Sequence, residues 1–149
     1  VVFLNLNKYT MEFKIIPSHQ IGSILSLVKK MAKDSVSDAV LLQRLQEMTT
    51  QNYECIGVYN HHQLIGVAGL WFCTRHYSGR SVEVDHVCIE EAFRNQGLGS
   101  QLMAWIENYV REKGYETIEL NTYVDNILSH KFYQKEGYKK LGFHFLKSL

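Results

Sequence analysis

The chain is 149 residues long, 46% apolar and 21% charged, and its 16 basic and 15 acidic side chains give a formal charge of +1 with histidine neutral. That balance fits a single globular domain over residues 1–149 with a sizeable core. It carries neither the basic excess of a dedicated nucleic-acid binder nor the apolar run of about 20 residues that crosses a bilayer.

Residues 1–10 read as a leader or an extra strand, with Met11 as an alternative start. Val1-Val2-Phe3-Leu4 followed by Asn5-Leu6-Asn7-Lys8 has neither the basic start nor the small-residue cleavage site of a secretory signal. A strand over 13–16 ends at the single proline, Pro17, and Ser18 is placed to cap a helix. Ile21, Ile24, Leu25, Val28 and Met31 recur at helical spacing to about Lys33, and Asp38 opens a second helix through Leu41, Leu42, Leu45 and Met48. Strands are predicted over 53–59, 64–74 and 81–89, joined by the turn 60–63 and the loop 76–79. A helix begins near Gly97 with Leu98, Leu102, Trp105, Ile106, Tyr109 and Val110 on one face, and Lys113-Gly114 closes it. A strand over 117–122, a helix over 126–135 and one or two short strands over 138–145 complete the chain. Hairpins first and a crossover helix later predict an α/β (α+β) fold. Its central sheet is mixed and mostly antiparallel, with six to seven strands flanked on both faces by about four helices.

Three cysteines, Cys55, Cys73 and Cys88, form no Cys-x-x-Cys pair, so neither a zinc knuckle nor a redox motif is expected. Each sits in an apolar stretch, which reads as reduced, structural and cytoplasmic. The seven histidines show no ligand spacing, His61-His62 reads as a solvated turn, and no metal site is expected.

The segment Arg94-Asn95-Gln96-Gly97-Leu98-Gly99-Ser100 lies between a predicted strand and an amphipathic helix. Glycines 97 and 99 let backbone approach a ligand closely, because no Cβ intervenes. The first N–H groups of the helix have no intrahelical partner and carry the positive end of its dipole. Together they make a backbone cradle for a pyrophosphate, with Arg94 as a cation beside it. A P-loop is excluded because its lysine and spacing are missing. A dinucleotide fingerprint is excluded because Leu102 stands where its third glycine belongs.

Arg-x-x-Gly-x-Gly after a strand resembles the acyl-CoA signature of the GCN5-related N-acetyltransferases (GNAT). The likeness extends from about Met11 to the C-terminus. Residues 87–99 resemble the family's strand-to-helix motif, and Asn126-Ile127-Leu128-Ser129-His130-Lys131-Phe132-Tyr133-Gln134-Lys135-Glu136-Gly137-Tyr138 is similar to its second signature, Asn-x-x-Ala-x-x-Phe-Tyr-x-x-x-Gly-Phe/Tyr. Two departures stand out. Ser129 or His130 occupies the place of a small alanine, and Asn95 replaces the commoner glycine after arginine.

The resemblance implies acetyl-CoA as co-substrate, no metal, and transfer to a primary amine by direct attack in a ternary complex. It implies backbone pairing of Val87, Cys88 and Ile89 with pantetheine. The diphosphate would be held by Arg94, Asn95, Gln96, Gly97, Leu98, Gly99 and Ser100, and the pantetheine arm by Asn126 and Ser129. Presenting a neutral amine near pH 7 costs about 4 to 5 kcal/mol for an alkylammonium, so a proton acceptor is needed. Glu83 and Asp85 are two apart and project to one face. Asp85, nine residues before Arg94, matches the position of the acidic base in small-amine members, with Glu83 in reserve. Either acid could equally be a surface strand position with an ordinary ion pair. In a regular strand His86 points to the other face, unless a bulge intervenes.

Family position makes Tyr133 the general acid for the departing thiolate; on helical spacing alone it is equally a core aromatic. The acceptor implied is a small polar amine such as an aminoalkylphosphonate, an aminosugar phosphate or a polyamine, read by residues 30–50 and 72–80. Arg75, His76, Tyr77 and Arg80 could meet an anionic group or form a solvated loop. The alternatives are a protein or peptide acceptor, or a non-catalytic CoA-binding module. No nucleic-acid or membrane partner is expected, and a homodimer is common among such enzymes.

Overall fold

Alternating apolar residues between positions 53 and 89 build the middle of the fold as three long strands: β2 (Tyr53–Asn60), β3 (Gln63–Arg75) and β4 (Gly79–Ile89). They belong to a computed structural model that describes residues 11–32 and 36–149. β1 (Met11–Ile16) pairs with β2, and β5 (Thr117–Leu120) pairs with β4, giving the order β1-β2-β3-β4-β5. Neighbours run antiparallel except β4 and β5. Those two are parallel because a helix, α3 (Leu98–Glu112), carries the chain across between them. The β2–β3 hairpin turns on His61 and His62, both left-handed at φ 45° and 70°, with Asn60 paired to Gln63. Two left-handed residues in a two-residue loop match the twist of the strands they join.

The sheet therefore has five strands among the described residues, not six or seven. Residues 138–149 form none, and every residue from 139 to 149 is exposed. Their alternation is that of a strand, but a strand persists only where another edge accepts its backbone groups. The strand predicted to reach 122 ends at Leu120. Residues 1–10 and the expected end of the first helix near Lys33 lie outside the described residues.

Pro17 precedes a 3-10 segment, Ser18–Ile24, and only then a short helix, α1 (Leu25–Lys29). Ser18 makes no capping bond there. α2 (Asp38–Met48) is capped by Ser37, whose hydroxyl accepts from the Val40 N–H at 3.3 Å. α4 (Ile127–Lys135) is capped by Asn126, whose side-chain oxygen accepts from the Ser129 N–H at 3.2 Å.

Two cores lie on opposite faces of the sheet. On one, Leu98, Leu102, Met103, Ile106 and Val110 of α3 bury against Ile56, Val58, Leu70, Val82 and Val84. On the other, Ile21, Ile24 and Leu27 join Leu41 and Leu45 over Cys55, Val67 and Cys88. Fully buried aliphatic side chains contribute about 1.5–3 kcal/mol each, so the two faces lock the sheet between helices. α4 is attached more lightly, through half-buried Phe132 and Tyr133.

Candidate active site

β4 is paired on both edges only over its first half. Its contacts with β5 run from Ser81 opposite Thr117 to Val84 opposite Leu120. Its pairing with β3 continues to Ile89 opposite Gly66. After Leu120 the chain leaves the sheet for the loop into α4, so among the described residues no strand pairs with 85–89 on that edge.

A bulge sits at the start of that open half. Val67 pairs with Cys88 and Gly69 with Asp85, so Ala68 faces both His86 and Val87, and His86 is left-handed at φ 36°. One extra residue shifts the alternation. Val82 and Val84 pack on the α3 side before the bulge, whereas Val87 and Ile89 do so after it. The bulge also corrects the regular-strand expectation for His86. Its ring lies over Gly69, where a Cβ would overlap it, and its Nε2 is 2.6 Å from the Tyr53 hydroxyl, on the face of Asp85. Burial holds the His86 pKa below its ordinary value, with Asp85 pulling the other way.

Asp85 is exposed. One carboxylate oxygen accepts from the Trp71 indole N–H at 3.2 Å and the other from the His86 backbone N–H at 2.7 Å. No ion pair engages it among the described residues. Glu83 shares its face in a different setting. It is half-buried, 3.0 Å from Arg75 Nη2, and accepts from the Asn121 amide at 2.8 Å. Arg75 also meets Glu119 at 2.8 Å through Nε. Arg80 stacks its guanidinium 4.5 Å from the centre of the Tyr115 ring. The two arginines between positions 72 and 80, Arg75 on β3 and Arg80 on β4, are therefore engaged with neighbours and do not form a joint cationic patch.

The mouth of α3 is built as the loop sequence implies. Gly97 takes φ 77° at the N-cap with no side chain capping the helix, and open space surrounds it. Asn95 is left-handed too, at φ 60°. Arg94 donates its Nε–H to the Ile89 carbonyl at 2.8 Å, and Gln96 donates to the Ala92 carbonyl at 3.2 Å. These bonds set the loop's shape without a ligand. The first intrahelical bond comes from Gln101 to the Gly97 carbonyl, so the N–H groups of Leu98, Gly99 and Ser100 have no acceptor within the helix. Gly99 lets the Phe132 ring pack close, since a Cβ there would stand 3.2 Å from it. The Ser100 hydroxyl donates to Glu136.

Tyr133 stands on α4, half-buried, its ring edge-on to Tyr138 at 5.7 Å. Burial pushes its phenol pKa up, so at neutral pH it holds its proton. No contact joins Tyr133 to Asp85 among the described residues. They belong to opposite faces, and β4 and β5 part between those faces. Cys88 is buried, and burial raises its thiol pKa against the pull of nearby Arg94. Asn126 caps α4 through its oxygen, which leaves its amide nitrogen to other partners.

Sequence reasoning missed the Tyr53–His86 pair, the Trp71–Asp85 bond and the Arg75 bridge between Glu83 and Glu119. Each joins residues far apart in the chain, and only the sheet register reveals them. Among the described residues no group of three or more His, Cys, Asp or Glu side chains could hold a metal, and no helix is long and apolar enough to cross a membrane.

Comparison with known proteins agrees with this geometry. An aminoalkylphosphonate N-acetyltransferase of Salmonella typhimurium is 31% identical over 102 residues, which are 68% of this chain and 61% of that protein. The chain thus spans less than two thirds of that curated relative's length. The aminoglycoside N-acetyltransferase AAC(6')-Iy, solved with CoA, superposes with a TM-score of 0.78 at 17% identity, covering 98% of this chain and 99% of that one. Glucosamine-6-phosphate N-acetyltransferase from Arabidopsis thaliana gives 0.69 at 16%, covering 93% and 98%. These structures share the fold. The sequence profile of the Acetyltransferase (GNAT) family matches residues 22–138. The chain belongs to the GNAT acetyltransferase family.

Proposed function

We propose that the protein transfers the acetyl group of acetyl-CoA to the primary amine of a small polar molecule, by direct attack in a ternary complex. The observation that carries this reading is the parting of β4 from β5 beside the uncapped mouth of α3. It supplies, side by side, an edge for an extended amide-bearing arm and unpaired N–H groups for its phosphates. The chain fits acetyl-CoA on that ground. The N–H groups of Leu98, Gly99 and Ser100 hold the diphosphate within the loop of Asn95, Gln96 and Gly97, and Arg94 keeps that loop in place. Residues 87–89 pair with pantetheine, and Asn126 and Ser129 hydrogen-bond its arm.

Acetyl-CoA supplies the activated thioester. Asp85 takes the proton of the incoming ammonium, directly or through a water, because its carboxylate is exposed and free of a cation. Glu83, already held by Arg75 and Asn121, organises the floor of the site instead. A backbone N–H on the open β4 edge stabilises the developing oxyanion. Tyr133, its proton retained by burial, donates to the departing sulfur. The buried, protonated Cys88 is unsuited to a covalent intermediate, which favours direct transfer. The three free cysteines and the use of acetyl-CoA accord with a cytoplasmic setting.

The name of the Salmonella relative directs the acceptor search toward small amines carrying a second polar group. Thiol release from acetyl-CoA with 2-aminoethylphosphonate, glucosamine 6-phosphate and spermidine tests the reading. Amine-dependent release with at least one acceptor is expected. CoA binding with no release across a wide amine panel would make the protein a binding module, and absence of CoA binding by calorimetry would remove the reading altogether.

A further inference from the structure

Glu83 and Asp85 share one face of β4, and among the described residues only Asp85 is held there without a cation. Each of its oxygens accepts a bond from a neutral donor: Oδ2 from the Trp71 indole N–H at 3.2 Å, and Oδ1 from the His86 backbone N–H at 2.7 Å. The residues that supply these donors are themselves joined behind the carboxylate. The Trp71 ring lies 4.9 Å from that of Tyr53, and the Tyr53 hydroxyl is 2.6 Å from His86 Nε2. Contacts thus run from one oxygen of Asp85 through Trp71, Tyr53 and His86 and back to the other oxygen.

This closed circuit spans three strands, with Tyr53 on β2, Trp71 on β3 and His86 on β4. Register brings them together. Tyr53 stands opposite Trp71, and Gly69 opposite Asp85. Trp71 is therefore the diagonal neighbour of Asp85, within reach of a long side chain. Gly69 leaves the space that the His86 ring fills, and the bulge turns that ring to the face of the carboxylate. Among the described residues the Tyr53 hydroxyl is the imidazole's only polar partner, since Nδ1 is buried without one. Burial pushes the Tyr53 pKa up and the His86 pKa down. Both rings are thus uncharged near neutral pH, and the circuit brings no cation to Asp85.

We propose that Trp71 and Tyr53 are positioning residues for acetyl transfer: with His86 they hold the Asp85 carboxylate in one orientation for the incoming amine. The proposal rests on the reading of Asp85 as the proton acceptor. An exposed aspartate otherwise turns about its side-chain torsions, and stopping that motion in advance removes its cost from the reaction. A carboxylate has about four lone-pair sites, so one accepted bond on each oxygen leaves sites for the proton of the ammonium. Neutral donors also leave the negative charge uncompensated, whereas an ion pair like that of Glu83 with Arg75 competes with the incoming cation.

The test joins nuclear magnetic resonance of the indole N–H to a double-substitution cycle, both on the full chain. Trp71 and Trp105 are the two tryptophans, so the resonance lost in Trp71→Phe identifies the indole in question. Its exchange with water should quicken about tenfold in Asp85→Ala. It should quicken about threefold in Tyr53→Phe, which removes neither atom of the Trp71–Asp85 bond. Trp71→Phe and Tyr53→Phe keep an aromatic ring at each position and should each lower kcat for the best amine about 10- to 100-fold. KM for acetyl-CoA should move less than about threefold. In an Asp85→Ala background the same two substitutions should lower kcat no further, because residues that act through a single group are not additive. Losses that add in full mark a general structural role and overturn the proposal, as does an indole N–H indifferent to Asp85 and Tyr53. Absence of thiol release from the parent with every amine removes the acyl-transfer reading and this role together. Release that depends on Asp85 but on neither Trp71 nor Tyr53 overturns the role alone.

Discussion

The two halves of β4 have similar composition and opposite duties. Residues 81–84 are hydrogen-bonded on both edges, and Ser81, Val82 and Val84 are buried. Residues 85–89 keep β3 on one side only, begin at a bulge, and put an exposed carboxylate at the opening. A strand held on both edges has no backbone groups left for a ligand. A strand freed on one edge has them, and it stays rigid because the other edge is still paired.

Substitutions should separate these duties. The largest effect is expected from Asp85→Asn, which keeps the shape and removes the proton acceptor. Turnover should fall about 10²–10⁴-fold with little change in melting temperature, measured by steady-state thiol release and calorimetry. Tyr133→Phe should lower kcat about 100-fold while KM for acetyl-CoA moves less than about threefold. A changed KM with unchanged kcat would reassign the residue to binding. In the doubly paired half, Val82→Ala should cost about 2 kcal/mol of stability and leave turnover per folded molecule intact.

The pH response of the bulge should be smaller. Burial keeps the folded His86 pKa below the ordinary value near 6.5, so the unfolded chain takes up that proton first. The corresponding stability is present above about pH 7, declines as pH falls through 6.5, and goes on declining until the buried ring is itself protonated. Thermal melts between pH 7.5 and 5.5 should therefore fall less steeply for His86→Gln than for the parent. Smallest of all should be Glu83→Gln. Its partly exposed pair with Arg75 is worth at most about 1 kcal/mol, and thiol release should stay within about threefold. A loss as large as that of Asp85→Asn would transfer the role of base to Glu83.

Much of this division was legible along the chain. The glycines and arginine between positions 94 and 100 announce an uncapped helix mouth, because local backbone freedom and helix polarity depend on neighbours in sequence. The α3 face from Leu98 to Val110 and the Asn126 cap are local for the same reason. The two carboxylates could be named but not ranked. What separates them is Arg75 on Glu83 and Trp71 on Asp85, brought by β3 from eight and fourteen residues away. The bulge beside His86 was raised by the family resemblance and not by the residues themselves, because it is a property of two strands, defined only when Ala68 is seen to face two residues. Residues 138–145 read as strand, and their alternation is real. Pairing, however, requires a second edge, which no pattern within one segment can supply.

The extra residue at His86 has one more consequence. It makes the parity of β4 differ on its two sides, so the strand carries two reading frames. An insertion or deletion of one position between Asp85 and Cys88 would exchange inside for outside along everything downstream, sending Cys88 toward α3 and Ile89 toward α1. Change of that kind is closed to this strand, whereas single replacements on either side of the offset can accumulate without disturbing the other.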